Sequence, residues 1–216
     1  MKYYKGIILA GGKGTRLFPV TNYINKHLLN IYDKPMIYYS LSVLFLAKIK
    51  DILIITNKED IILFKKLFSS GEKFGVKIQY KEQEKPEGIA QAFHLGEKFI
   101  SNHKVALLLG DNIFFGSNFR KKLITAKNND GATIFTYPVK KPREFGIIEL
   151  DKKNRIKSIK EKPKKPRSNI AVTGLYFYDQ RAVKYSKLIK KSKRGEYEIT
   201  DLNNIYLKKK KLNAVT

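Results

Sequence analysis

Short apolar runs alternate with helix-patterned segments through the first two thirds of this chain, and that alternation restricts its fold more than any other feature. Strands are expected at residues 5–10, 51–56, 76–80, 105–110 and 132–138. Between them, Pro35 suits the first turn of a helix running to about residue 48, and 59–68, 89–100 and 119–127 read as further helices. Strand, helix, strand repeated four times makes a parallel sheet with helices on both faces. Ligands then belong at the carboxyl ends of the strands. Beyond Pro138 the texture turns β-rich at 146–150, 155–161 and 172–178, with a hairpin turn expected at 151–154. Helices at about 181–190 and 199–209 finish the chain. The Lys-Pro stretch 162–166 reads as a rigid surface connection, so residues 1–216 are expected to form a single domain large enough to bury a core.

The first strand runs into Leu-Ala-Gly-Gly-Lys-Gly-Thr-Arg-Leu at 9–17. Glycines let a backbone approach a ligand closely, so Gly11, Gly12 and Gly14 can aim amide N–H groups at anionic oxygens while Arg16 adds charge. Two commoner phosphate loops are excluded. Lys13 is followed by Gly14 rather than Ser or Thr, and Leu17 stands where a dinucleotide fingerprint would place its last glycine.

The formal net charge of +25 invites a nucleic-acid partner. The excess is mostly scattered Lys among abundant Ile and Asn. It is dense only at 140–167, with twelve Lys/Arg against four Asp/Glu, and at 208–211. Neither stretch interleaves aromatics as nucleic-acid modules do, so nucleic acid is not the expected partner. The chain has no Cys, which suits a reducing compartment. Its longest aliphatic runs are strand-sized, and no secretory apolar segment follows Met1. A cytoplasmic protein without a membrane partner is expected.

Four further positions carry chemistry. Lys26 and Arg16 together could neutralise a triphosphate as a leaving group departs, although a Lys in a polar stretch is ordinarily solvated surface. Asp111 ends the run 105–110, and one carboxylate plus substrate phosphates can hold Mg²⁺; Gly110-Asp111-Asn112 reads equally as a strand-ending turn. Gln83 donates and accepts as a uracil or thymine edge requires, and Gly88 leaves room for a flat base; the segment could equally be an ordinary connection. The three histidines, His27, His94 and His103, are not spaced as a metal set.

Taken in order, seven segments resemble the nucleotidyltransferases that make nucleoside-diphosphate sugars, and within them the thymidylyltransferase branch. They are Gly-Ile-Ile-Leu-Ala-Gly-Gly-Lys-Gly-Thr-Arg-Leu at 6–17, Tyr-Asp-Lys-Pro-Met-Ile-Tyr-Tyr at 32–39, Gly-Ile-Ala-Gln-Ala-Phe at 88–93 and Leu-Gly-Asp-Asn at 109–112, followed by Glu-Lys-Pro at 161–163, Val-Thr-Gly-Leu-Tyr-Phe-Tyr at 172–178 and Arg-Gly-Glu-Tyr-Glu-Ile-Thr-Asp at 194–201. The resemblance implies an α/β, Rossmann-like three-layer sandwich around a mixed, mostly parallel sheet. It implies that glucose 1-phosphate attacks the α-phosphorus of dTTP, giving dTDP-glucose and pyrophosphate for dTDP-rhamnose or another deoxysugar pathway. Gly11, Gly14, Thr15 and Arg16 would then hold the triphosphate and Lys26 would bridge phosphates. Gln83 and Gly88 would read thymine, and Asp111 would hold Mg²⁺. Asn112, Gly146, Glu161 and Val172 would hold the sugar, with Lys162 placing its phosphate; the catalytic set is Arg16, Lys26 and Lys162. A homotetramer is the family's usual assembly. UTP in place of dTTP, or a non-catalytic polyanion binder, are the competing readings.

His27 stands where the family usually has Gln, and Asn30 where it usually has Pro. The family also continues beyond the position of Val215-Thr216 with a strand bearing a second metal-holding Asp and with closing helices. No acidic residue follows Asp201. The expectation is therefore a sound nucleotide pocket with reduced or absent turnover.

Overall fold

The computed structural model describes residues 3–12, 14–153 and 155–216. In chain order the strands are β1 (Tyr4–Leu9), β2 (Asn30–Ile31), β3 (Lys34–Pro35), β4 (Asp51–Thr56), β5 (Lys77–Glu82), β6 (Lys104–Leu109), β7 (Ala132–Pro138), β8 (Gly146–Leu150), β9 (Ile156–Glu161), β10 (Ile170–Tyr178) and β11 (Leu212–Val215). The helices are α1 (Ile37–Leu46), α2 (Lys58–Phe68), α3 (Gln91–Leu95), α4 (Glu97–Ile100), α5 (Phe119–Asn128), α6 (Ala182–Ser186) and α7 (Ile199–Lys208).

The main sheet runs β11-β7-β10-β6-β1-β4-β5. β1 lies in its parallel middle, with Ile7 registered against both Leu53 and Leu107. Its alternate side chains enter two separate cores. Ile7 packs with Phe93, Tyr178 and Tyr206 on one face, and Ile8 packs with Leu41, Phe64 and Leu123 on the other. Burial on both faces explains why β1, β4 and β6 read as continuous apolar runs rather than alternating ones.

The sheet is not wholly parallel. β10 lies between β6 and β7 and runs antiparallel to both. β8 branches from the main strand order, pairing with β10 at Ala171–Ile147, and carries β9 as a hairpin. Apolar Ile148 and Ile159 on that hairpin join the core beneath α7. The result is the α/β, mixed and mostly parallel sandwich that the resemblance implied.

Several boundaries differ from expectation. Pro35 is in the short β2–β3 ribbon, and α1 begins only after Met36. The helix expected over 89–100 breaks at Gly96. There a Cβ would come within 2.9 Å of both the Ala92 carbonyl and Ile7 Cδ1, so α3 and α4 turn about a residue that only glycine fits. The helix expected over 181–190 closes early as α6. Asp151 holds the β8–β9 turn by accepting from the Lys153 and Arg155 backbone N–H groups, while Asn154 of the expected 151–154 turn lies outside the described residues. No helix among the described residues is long and apolar enough to cross a membrane.

β11 docks against β7 through Gly131, which has φ +92° and whose Cβ would collide with the Lys211 carbonyl. Gly131→Ala should therefore cost about 1–3 kcal/mol, combining left-handed strain with displacement of the β11 backbone. Denaturant unfolding of the two proteins checks this; equal midpoints would contradict it.

Candidate active site

The turn after β1 is pinned before it reaches the glycines. Ala10 donates its N–H to Ile55, and its carbonyl accepts from Asn25 Nδ2 at 2.9 Å and Thr56 Oγ1 at 3.0 Å. Gly12 and Gly14 then take φ +101° and +57°, conformations costly for other residues. Among the described residues, chain neighbours aside, nothing lies within 4 Å of a Cβ built on Gly12, which leaves that side of its backbone open to a ligand. Thr21 holds the Gly14 carbonyl at 2.9 Å, and residues Thr15–Leu17 form one 3₁₀ turn that leaves Arg16 exposed toward the crevice. Lys13 lies outside the described residues.

Lys26 crosses to the tip of β6, where its Nζ meets Asp111 Oδ2 at 2.5 Å. Burial alone would raise the Asp111 carboxyl, but the Lys26 ammonium, His27 and the Asn112 amide together carry it below the ordinary carboxylate range. Asp111 is therefore ionised at neutral pH, with 35% of its side chain exposed. His27 is 1% exposed and bonds Asn25 Oδ1 through both its backbone N–H and Nδ1. It packs against Gly110 so closely that a Cβ there would stand 2.6 Å from the imidazole. His27 is thus a structural wedge between the loop and β6. His94 and His103 lie elsewhere, and the described residues contain no metal-holding group of three or more His, Cys, Asp or Glu side chains.

Gln83 follows β5 and is 5% exposed, with its Nε2 donating to Gln91 Oε1 at 2.7 Å. Its Oε1 lies over Gly11, where a Cβ would collide with it. Gly88 borders the same space at φ +96°, but the room its missing side chain leaves is taken by the Tyr197 backbone, 2.6 Å from a built Cβ. Gly11, Gly12, Lys26, Gln83, Gly88 and Asp111 thus line one cavity of about 380 Å³.

A second cavity of about 750 Å³ adjoins it, and Ile89, Leu109 and Glu196 line both. Here β10 supplies Val172 and a register shift between Val172 and Tyr176. Gly174 donates its N–H to Asn112 Oδ1 at 2.9 Å, an approach that a Cβ at 174 would block at 2.7 Å. Glu161, ending β9, accepts from Thr200 Oγ1 at 2.6 Å, and Gly146 clears space for that pair. Lys162 sits at φ +40° with its N–H on the Phe145 carbonyl at 3.0 Å, a strained backbone that directs the residue after Glu161 to the cavity rim.

The structure therefore brings Gly11, Lys26, Gln83, Gly88 and Asp111 together on one side and Asn112, Gly146, Glu161, Lys162 and Val172 on the other, with Arg16 on the second cavity's lining. Gly14 and Thr15 shape the loop without lining either cavity. Sequence reasoning assigned no role to the 194–200 segment. There Arg194 binds Glu198 at 2.8 Å, Glu196 at 3.2 Å and Glu161 at 3.5 Å, roofing the larger cavity. The charged cluster Arg-Gly-Glu-Tyr-Glu at 194–198 was the available signal.

Residues 5–216 match the family model described as nucleotidyl transferase. The chain is similar to glucose-1-phosphate thymidylyltransferase of Neisseria meningitidis serogroup A, with 56% identity over 94% of this chain and 71% of that protein. A solved Bacillus anthracis protein assigned the same activity, in complex with sucrose, superposes with a TM-score of 0.90 at 43% identity, covering 98% of this chain and 86% of that one. UDP-glucose pyrophosphorylase in complex with UDP-glucose shares the fold, with a TM-score of 0.84 at 24% identity, covering 100% of this chain and 90% of that one.

Burial first and the Lys26 ammonium second push the His27 imidazole down to about 4, below the ~6.5 of an unfolded histidine. Between those values the unfolded chain binds a proton that the folded one does not, so His27 makes stability fall as pH drops from 6.5 toward 4. His27→Gln should flatten that part of the profile, with any loss from replacing the buried imidazole shared by every pH from 4 to 8. Unfolding free energies across pH 4–8 check this, and parallel profiles for both proteins would contradict it.

Proposed function

This chain belongs to the nucleotidyl transferase family, and on that premise we propose that it joins dTTP and glucose 1-phosphate into dTDP-glucose with release of pyrophosphate. The observation that carries the reading is the pair of abutting cavities. One offers a phosphate-holding glycine turn, a buried amide suited to a pyrimidine edge and an ionised carboxylate. The other offers carboxylate and amide groups suited to sugar hydroxyls.

In this reading a phosphate oxygen of the sugar phosphate forms a bond to the α-phosphorus as the bond to the β-phosphate bridging oxygen breaks, and the electron pair leaves on pyrophosphate. That nucleophile is already anionic, so no side chain needs to remove a proton. Positioning and charge neutralisation carry the catalysis. The amides of Gly11 and Gly12 receive the β- and γ-phosphates, and Arg16 stabilises charge growing on the leaving group. Lys26 exchanges its bond to Asp111 for the nucleotide phosphates. Glu161 and Asn112 orient the hexose, and Lys162 places its phosphate opposite the leaving group.

Asp111 fits a divalent cation: it is ionised, partly exposed to the cavity and already paired with a cation. One carboxylate with phosphate oxygens and water suits Mg²⁺, which would screen the α-phosphate as the new bond forms. The cysteine-free composition suits a cytoplasmic setting. Self-association, to a tetramer in the resembling family, is part of the same reading.

Pyrophosphate release from glucose 1-phosphate and Mg²⁺ with each of dTTP, UTP, ATP and GTP tests the proposal. The largest kcat/KM is expected with dTTP; a larger one with UTP would move the chain to uridylyl transfer. Arg16→Ala should lower kcat by about 10²-fold or more. If no nucleotide supports release and binding is instead tight to DNA or RNA with steep salt dependence, the polyanion reading prevails.

A further inference from the structure

The amide of Gln83 can read a pyrimidine in two opposite ways, because rotating it by half a turn exchanges donor and acceptor. Thymine and uracil present a carbonyl acceptor beside an N3–H donor. Cytosine presents an amino donor beside an N3 acceptor. An unrestrained Gln would serve both.

The structure restrains it. The Glu87 backbone N–H, which can only donate, bonds Gln91 Oε1 at 3.0 Å and so fixes that atom as oxygen. The other end of the Gln91 amide is fixed equally, since Nε2 donates to Glu87 Oε2 at 3.2 Å. The Gln83 atom lying 2.7 Å from Gln91 Oε1 must then be the donor Nε2, which leaves Gln83 Oε1 over Gly11 on the cavity wall. Turning the Gln83 amide over would set two oxygens face to face in a part-buried place, leaving the Gln83 oxygen without a donor there. Glu87 is itself held: Lys191 pairs with its carboxylate, and its carbonyl accepts the Tyr197 N–H at 2.7 Å.

We infer that Gln91 is a specificity-determining positioning residue, acting through Gln83 to hold its carbonyl as the acceptor for a pyrimidine N3–H and so to select thymine or uracil over cytosine. This rests on the nucleotide assignment proposed above. Gly11 serves the same end from the opposite side, because any side chain there would displace Gln83 Oε1.

Equilibrium binding by the full chain tests the inference without requiring turnover. Dissociation constants for dTTP, UTP and dCTP are measured for wild type, Gln91→Met, Gln83→Ala and the double variant, with the unfolding midpoint and glucose 1-phosphate binding recorded alongside. Gln91→Met should reduce the preference for dTTP over dCTP by about tenfold, the size of one net hydrogen bond. Sugar-phosphate binding should scarcely move, and the unfolding midpoint should stay well above the temperature of the binding measurements. In the Gln83→Ala background the same substitution should leave the preference unchanged, since its effect passes through the missing amide. Wild-type discrimination retained by Gln91→Met would overturn the inference alone, as would an equal loss in both backgrounds. Failure of wild type to bind dTTP, or preference for dCTP, would overturn the nucleotide assignment and the inference together.

Discussion

Two adjacent residues at the tip of β6 hold the two halves of the crevice together. Asp111 reaches back to Lys26 on the glycine-turn side, and Asn112 reaches across to the backbone of Gly174 in β10. The Asn112 amide also donates to Asp111 Oδ1 at 3.0 Å, so the two contacts form one short chain of polar bonds. It works because β10 runs antiparallel beside β6, which brings the shifted segment around Gly174 to the carboxyl end of a parallel strand. Without that strand the sheet would carry a phosphate cradle facing solvent. With it, a second wall stands within reach of the first.

The parallel half of this sheet was legible because its strands are buried on both faces, and two-sided burial leaves uninterrupted aliphatic runs such as 52–55 and 105–108. The position of β10 was not. Its pairing with β6 and β7 links residues far apart in sequence, and no local period encodes which neighbour a strand takes. The break at Gly96 was hidden for a different reason: the pattern of apolar residues continues through it, and the tight packing of that glycine against Ile7 and the Ala92 carbonyl exists only once the chain is folded. β11 is four residues long and follows a lysine run, too little signal to separate from a tail.

At the crevice, residues whose role is local were the readable ones. Gly12 and Gly14 announce themselves because positive φ after a strand leaves few alternatives, and Asp111 because it ends an apolar run. Residues that act through distant partners were silent. Gln91 looks like any polar helix residue until Gln83 and Glu87 fold onto it, and Arg194 gains its place only when Glu161 and Glu198 converge from separate elements. Gly88 was expected to leave room for a base; it lines the cavity, but the space its missing side chain opens is filled by the Tyr197 backbone.

The central claim is that one crevice seats a nucleoside triphosphate on the glycine turn and a sugar phosphate beside Glu161, separated by the Asp111–Asn112 pair. A crystal structure of this chain with dTTP and, separately, with glucose 1-phosphate tests it most directly. The account predicts β- and γ-phosphates against the Gly11 and Gly12 amides, thymine against Gln83 and the hexose hydroxyls on Glu161 and Asn112. A pyrimidine seated in the Glu161 cavity, or a triphosphate bound away from the glycine turn, would contradict it.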